Sequence, residues 1–191
     1  MHLDRDKIIA AGLEILDTYG LADMTIRRIA GKLNSAPGSI YWHVKNKQEL
    51  IALIGHAIID QMDTDQDTTA DMLRELRRAM LEFRDGCEVV AAANNSGLVR
   101  DDLIRLIRMP DENLTETAAS ALLSFTLGHV QYEQFQRQLL ALDAAATQGS
   151  DDKSAKRVAA KIADLQEKEA EEGNRLFEEG LEAILRGIST D

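Results

Sequence analysis

Apolar residues recur at three- and four-residue intervals along nearly the whole chain, a period that predicts helices and little else. Asp4 to Tyr19 reads as the first helix, with Ile8, Ile9, Gly12, Leu13, Ile15 and Leu16 as its buried stripe and Gly20 placed to end it in a left-handed conformation. Thr25 suits an N-cap, and Ile26, Ile29, Ala30 and Leu33 give the next helix one apolar face. Asn34-Ser35-Ala36 breaks that helix. Pro37 then fits the first position of a very short one, because its φ is preset and its missing N–H is not needed there. Asn46, with Glu49 three residues on, has the pattern of a capping box opening a longer helix whose stripe is Leu50, Leu53, Ile54, Ala57, Ile58 and Met62.

Residues 63–70 are polar and read as a boundary loop. Asp71 to Arg84 is predicted helical, residues 85–97 as a small-residue helix fragment ending in a loop, and Leu98 to Met109 as an amphipathic helix stopped by Pro110. Asn113 and Glu116 suggest a second capping box, opening a helix that is apolar almost all round as far as Val130 and so belongs inside a bundle. Residues 143–154 read as a flexible connection. Lys156 to Glu172 is a charged helix with a narrow stripe at Val158, Ile162 and Leu165. Asn174 to Ile188 forms the last helix; its stripe (Leu176, Phe177, Leu181, Ile184, Leu185, Ile188) is wider than one neighbour needs and suits either a partner chain or an intramolecular core. The expected fold is all-α: an N-terminal three-helix helix-turn-helix domain over residues 1–48, a linker helix over 46–62, and a larger helical bundle over 63–191.

Charge changes this picture. The chain carries a formal −11, yet between Met24 and Leu50 five cations (Arg27, Arg28, Lys32, Lys45, Lys47) face one acid, Glu49. Residues 1–50 hold seven Lys/Arg and six Asp/Glu, so the excess of acid lies in the rest of the chain. Two short helices joined by a tight turn can seat the second in a DNA major groove, and a locally basic segment is the footprint of such a face. An ordinary helical hairpin with a solvated basic side fits the same spacing. An acidic body is repelled by nucleic acid, so a DNA partner would meet only the first quarter.

Other chemistry is thinly represented. The lone Cys87 excludes an internal disulfide and a cysteine-based zinc site, and with only Arg84 nearby to lower its pKa it suits a buried apolar role. His2, His43, His56 and His129 lack metal-ligand spacing, and no phosphate loop or nucleophile motif occurs, so no catalytic residue, metal or cofactor is assigned. Glu167, Glu169, Glu171 and Glu172 read as a solvated helix face. With no apolar run of roughly 18 residues and no signal-like start, the expectation is a cytoplasmic protein without a membrane partner. A helical enzyme or a protein-interaction bundle without DNA binding is the rival reading; it leaves the basic segment around Trp42-His43 unexplained.

The segment I-Y-W-H-V-K-N-K-Q-E-L (Ile40 to Leu50), with the upstream T-I-R-R-I-A-G-K-L, resembles the DNA-binding domain of the TetR family of bacterial repressors, and Y-W-H-V-K-N-K is close to the form in tetracycline repressors. The motif spans about residues 4–55. Weaker similarity continues at R-D-G (Arg84–Gly86), F-T-L-G (Phe125–Gly128) and F-E-E-G-L-E-A-I-L-R-G-I (Phe177–Ile188). The resemblance implies an all-α homodimer that binds palindromic double-stranded operator DNA. An effector in the 63–191 domain, which also dimerises, would swing the linker helix and spoil the spacing of the two recognition helices, about 34–36 Å for half-sites one turn apart.

Carried onto this chain, DNA contacts fall on Arg27, Pro37, Gly38, Ser39, Tyr41, Trp42, His43 and Lys47, with Arg28 on the same basic face. Arg27 can pair with guanine and Ser39 can bond a base or phosphate; Tyr41, Trp42, His43 and Lys47 suit the backbone. Pro37 stands where the tetracycline repressors carry a base-reading Gln, which implies a different operator. The effector site departs further: Val90 replaces the magnesium-ligating His, Ala93 and Asn94 a Thr-Arg pair, Tyr132 an acid, and Asp63 the drug-gripping His. Such a site is expected to be apolar and to lack the charge match for magnesium–tetracycline. Its candidate residues are Met72, Leu76, Val90, Asn94, Asn95, Phe125, His129 and Tyr132, with Gln131 a further polar handle; His129 also suits a satisfied core position, and the asparagines a turn cap.

Overall fold

Five of the described helices begin where a side chain accepts an otherwise orphaned N–H. Asp4 accepts from Lys7, Thr25 from Arg28, Asn46 from Glu49, Thr68 from Asp71 and Thr115 from Ala118, at 2.8–3.2 Å. The computed structural model describes residues 3–147 and 152–188. Among them are nine α-helices and no strand: α1 Arg5–Tyr19, α2 Ile26–Lys32, α3 Pro37–Tyr41, α4 Lys47–Ile59, α5 Thr69–Leu81, α6 Gly86–Asn95, α7 Arg100–Arg108, α8 Glu116–Thr147 and α9 Asp152–Ile188. No described helix is long and apolar enough to cross a membrane.

Several boundaries differ from the sequence reading. α5 starts inside the stretch read as a loop, because Thr68 caps it and also donates its hydroxyl to Asp71 Oδ2 (2.6 Å). The cap of α8 is Thr115, not Asn113, whose N–H is taken by Asp111 Oδ1 in the preceding turn (3.0 Å). α8 then runs well past Val130, since the Gln, Leu, Ala and Arg that follow are good helix formers. Of the expected connection 143–154, residues 143–147 and 152–154 are helical, and 148–151 lie outside the described residues. The two C-terminal helices are one, α9. Gly173 does not break it; a side chain there would run into the Glu133 carboxylate, so the glycine makes room for a neighbour within an unbroken helix.

The chain forms two compact units, 1–127 and 128–191. In the first, α4 packs chiefly on α6 and also meets α1 and α5, while α1 holds α2, and α2 holds α3. With neighbours on several sides, α4 buries Leu50, Ala52, Ile54, Gly55, Ile58 and Ile59, leaving Leu53 and Ala57 only half-buried. Gly55 permits a close approach to α6: a Cβ there would stand 3.1 Å from Ala93 Cβ. α1 likewise buries Ala11 with Ile8, Gly12, Ile15 and Leu16, while Ile9 and Leu13 sit at the edge of the stripe. Gly20 ends α1 at φ 86°, ψ 175°, and the next N–H, from Leu21, is received by Asp85 Oδ2 at 2.9 Å. In the second unit, α8 and α9 meet around Glu133, His129 and Phe177. His129 Nε2 lies 2.9 Å from the Gly173 carbonyl and 3.3 Å from Glu133 Oε1, and its ring centroid is 5.4 Å from that of Phe177.

Candidate nucleic-acid interface

The α2–α3 pair is held from beneath by apolar anchors. Ile29, Ile40 and Val44 are fully buried. Asn34 adopts a positive φ of 49°, which turns the chain sharply, and the Ser35 N–H returns to the Ala30 carbonyl at 2.9 Å. Pro37 opens α3 at its first turn, as its fixed φ predicts. Ile40 is the buried residue of this five-residue helix, so its other side chains are left for solvent or a partner.

What faces outward is the predicted set. Arg27, Arg28, Pro37, Gly38, Tyr41, Trp42 and Lys47 are exposed, and Ser39 and His43 are half-buried. Trp42 is 91% exposed. Leaving an indole in water forgoes a large burial term. The two arginines of α2 differ. Arg28 stacks its guanidinium 4.2 Å above the Tyr19 ring and pairs with Asp23 at 3.3 Å. Arg27 has no such tether among the described residues and points its charge to solvent.

Sequence reasoning missed the group that secures the far end of α3. Arg5 donates from Nε to the His43 carbonyl (3.1 Å) and from Nη2 to Glu49 Oε1 (3.0 Å). Glu49 Oε2 accepts the Lys45 N–H at 2.7 Å. The expected capping box is therefore half-formed: Asn46 caps Glu49 as read, but the return bond goes to Lys45. The capping-box spacing was the one available signal for Glu49; nothing local pointed to Arg5.

The effector candidates divide between the two units. Met72 and Leu76 on α5 and Val90 on α6 are fully buried, Phe125 is half-buried and Asn95 is exposed. Asn94 is half-buried, and its Oδ1 is shut away from solvent without a hydrogen-bond partner among the described residues. In the second unit His129 has the partners described above, whereas Gln131 and Tyr132 are exposed. Tyr132 borders a cleft of about 190 Å³ with Glu133, Arg137, Glu169 and Leu176. Cys87 is buried and its thiol donates to the Leu127 carbonyl at 3.1 Å. Burial, helped by the nearby Glu88 charge, pushes that thiol up to about 12, so it is no nucleophile or redox centre near neutral pH.

Comparison with known proteins agrees with this geometry. Residues 8–54 match bacterial regulatory proteins of the tetR family, and residues 60–191 match the tetracyclin repressor-like C-terminal domain. The class D tetracycline repressor protein of Escherichia coli is 30% identical over 201 residues, covering 98% of this chain and 89% of that protein. The crystal structure of Mycobacterium smegmatis BioQ superposes with a TM-score of 0.74 at 27% identity, covering 97% of this chain and 98% of that one. BioQ solved with its natural double-stranded DNA operator gives 0.72 at 25% identity over the whole of both chains.

Proposed function

The chain belongs to the TetR family of bacterial regulatory proteins, and on that premise we propose how it works as a ligand-responsive, DNA-binding transcriptional repressor. Two copies bind a palindromic operator. Residues 1–48 of each supply the DNA-binding head, α4 is the link, and residues 63–191 hold the effector and the partner.

The observation that carries this reading is the exposure of Arg27, which has no ionic partner among the described residues, and of Tyr41, Trp42 and Lys47 along α2, α3 and the start of α4 in an otherwise acidic protein. Arg27 reads a base, and Arg28, tethered to Tyr19 and Asp23, presents its charge to the phosphates. Pro37, Gly38 and Ser39 contact a base or phosphate, and Tyr41, Trp42, His43 and Lys47 line the DNA backbone. Support for a partner copy comes from Phe135, Leu139 and Leu142 on α8, an exposed i, i+4, i+7 stripe, and from exposed Leu165 and Leu176 on α9.

The effector is a small, largely apolar molecule with one hydrogen-bond donor. Support comes from the buried Met72, Leu76 and Val90 and from Asn94 Oδ1, an acceptor still lacking a donor. Phe125 and Asn95 are the remaining contacts of this reading within the first unit; His129 and Tyr132 are candidates within the second.

A titration with the inverted-repeat duplex nearest the chain's own coding region, across a salt series, tests the head. Log affinity falls steeply against log salt; Tyr41→Ala weakens binding to all sequences alike, whereas Arg27→Ala also relaxes preference at one base pair, by about 1–3 kcal/mol. Absence of binding at low salt, or variants that bind like the parent, overturns the assignment. An apolar effector raises the melting temperature and releases the duplex. Release by magnesium–tetracycline at lower concentration than any apolar compound overturns the effector reading.

A further inference from the structure

We propose that Arg5 is a positioning residue for DNA recognition, acting through Glu49 to set the angle at which the Trp42–Lys45 turn presents its side chains. The inference rests on the DNA-binding reading above and assigns a role to residues outside the contacting face.

The need for such a device follows from the size of α3. Five residues form barely one turn, and a helix this short has no stability of its own. Its last internal tether is the Ile40 carbonyl, which receives the N–H groups of His43 (2.9 Å) and Val44 (3.0 Å). Beyond it, the chain must change direction before Asn46 opens α4. The clasp holds two backbone groups of this reversal: the His43 carbonyl by Arg5 Nε and the Lys45 N–H by Glu49 Oε2. The Arg5–Glu49 pair, 3.0 Å apart, closes the ring from α1 through the turn to α4.

Chemistry dictates the residue types. A guanidinium offers two N–H directions in one rigid plane, so it can serve a carbonyl and a carboxylate together; an ammonium on a flexible stem cannot hold both in fixed register. A carboxylate can likewise accept from two sides. The pair itself is open to solvent, with side chains 55% and 27% exposed, and exposed ion pairs add little stability. Its value is therefore geometric. Removing it leaves the head folded but lets Trp42 and His43 wander.

Positioning and direct phosphate contact predict opposite signs, which makes the test decisive. Arg5→Met, Arg5→Lys and Glu49→Gln are made in the full-length chain, and each is melted and titrated with the selected duplex over a salt series. All three are expected to melt close to the parent. Arg5→Met weakens duplex binding roughly tenfold, as for loss of one charge-assisted contact, with an unchanged salt slope, and Arg5→Lys does not restore it. Glu49→Gln removes a negative charge beside the phosphates, which by charge alone tightens binding; positioning requires it to weaken binding instead. A salt slope reduced by about one in Arg5→Met, rescue by Arg5→Lys, or tighter binding by Glu49→Gln overturns the proposal. A parent chain that binds no duplex overturns the DNA reading together with this one, whereas parent binding matched by all three variants overturns this one alone.

Discussion

Cys87 shows how far burial alters a side chain's chemistry. Its folded-state pKa near 12 lies above the ordinary value of 9.0, so below pH 9 the thiol is protonated whether the chain is folded or not, and it contributes no pH dependence. Above that, the unfolded chain loses the proton first. Stability therefore falls as pH rises from about 9 toward 12, and Cys87→Ala removes this part of the slope in urea midpoints measured across that range. A thiol reagent at pH 8 should modify the parent only at the rate of opening. Residue-scale features were readable from the sequence where they are local. Asp4, Thr25 and Asn46 cap what the spacing says they cap. Near α8 two capping residues, Asn113 and Thr115, compete two positions apart, and the choice of Thr115 goes with a side-chain contact: Arg108 Nε binds the Leu114 carbonyl at 2.7 Å. No spacing rule contains that information. Arg5 is the same case at longer range, since its partners lie 38 and 44 residues away.

At the scale of elements, periodicity located the helices and left their ends and continuity to packing. The recognition pair was the most legible part, because a cap, a break and a proline fall within a dozen residues. α9 was the least. A mid-helix glycine normally weakens a helix, and only the Glu133 side chain lying against it explains why Gly173 belongs there. The α4 stripe was read one face wide, while the helix is enclosed by α1, α5 and α6. This enclosure gives a prediction. At Gly55 the two helix backbones are so close that even a methyl group would touch Ala93, so Gly55→Leu overpacks the contact by about 1–3 kcal/mol. That corresponds to a drop of roughly 2–4 °C per kcal/mol for a chain of this size, read by thermal melting.

For the whole molecule, the proposed division of labour sets a locally basic head for DNA against a body that pairs through the exposed apolar stripe of α8. Phe135→Glu with Leu139→Glu places two carboxylates on that stripe and is expected to give a monomer by sedimentation, with duplex affinity falling by orders of magnitude because each head then binds alone. A dimer that survives both changes pairs elsewhere. The proposed effector site was poorly legible in the sequence, since Val90 in place of a magnesium ligand says what is lost without saying what is gained, and the burial of Asn94 Oδ1 without a partner among the described residues is set by packing that no spacing rule contains. Trp42 is the only tryptophan in the chain, so the protein carries a single fluorophore of this kind on the proposed DNA-binding face. Light at the red edge of indole absorption excites Trp42 and leaves the tyrosines dark. Free protein should emit like tryptophan in water and be readily quenched by acrylamide, and a saturating operator duplex should shift the emission to the blue and shield it. An unchanged spectrum would mean that this ring stays in solvent while the complex forms.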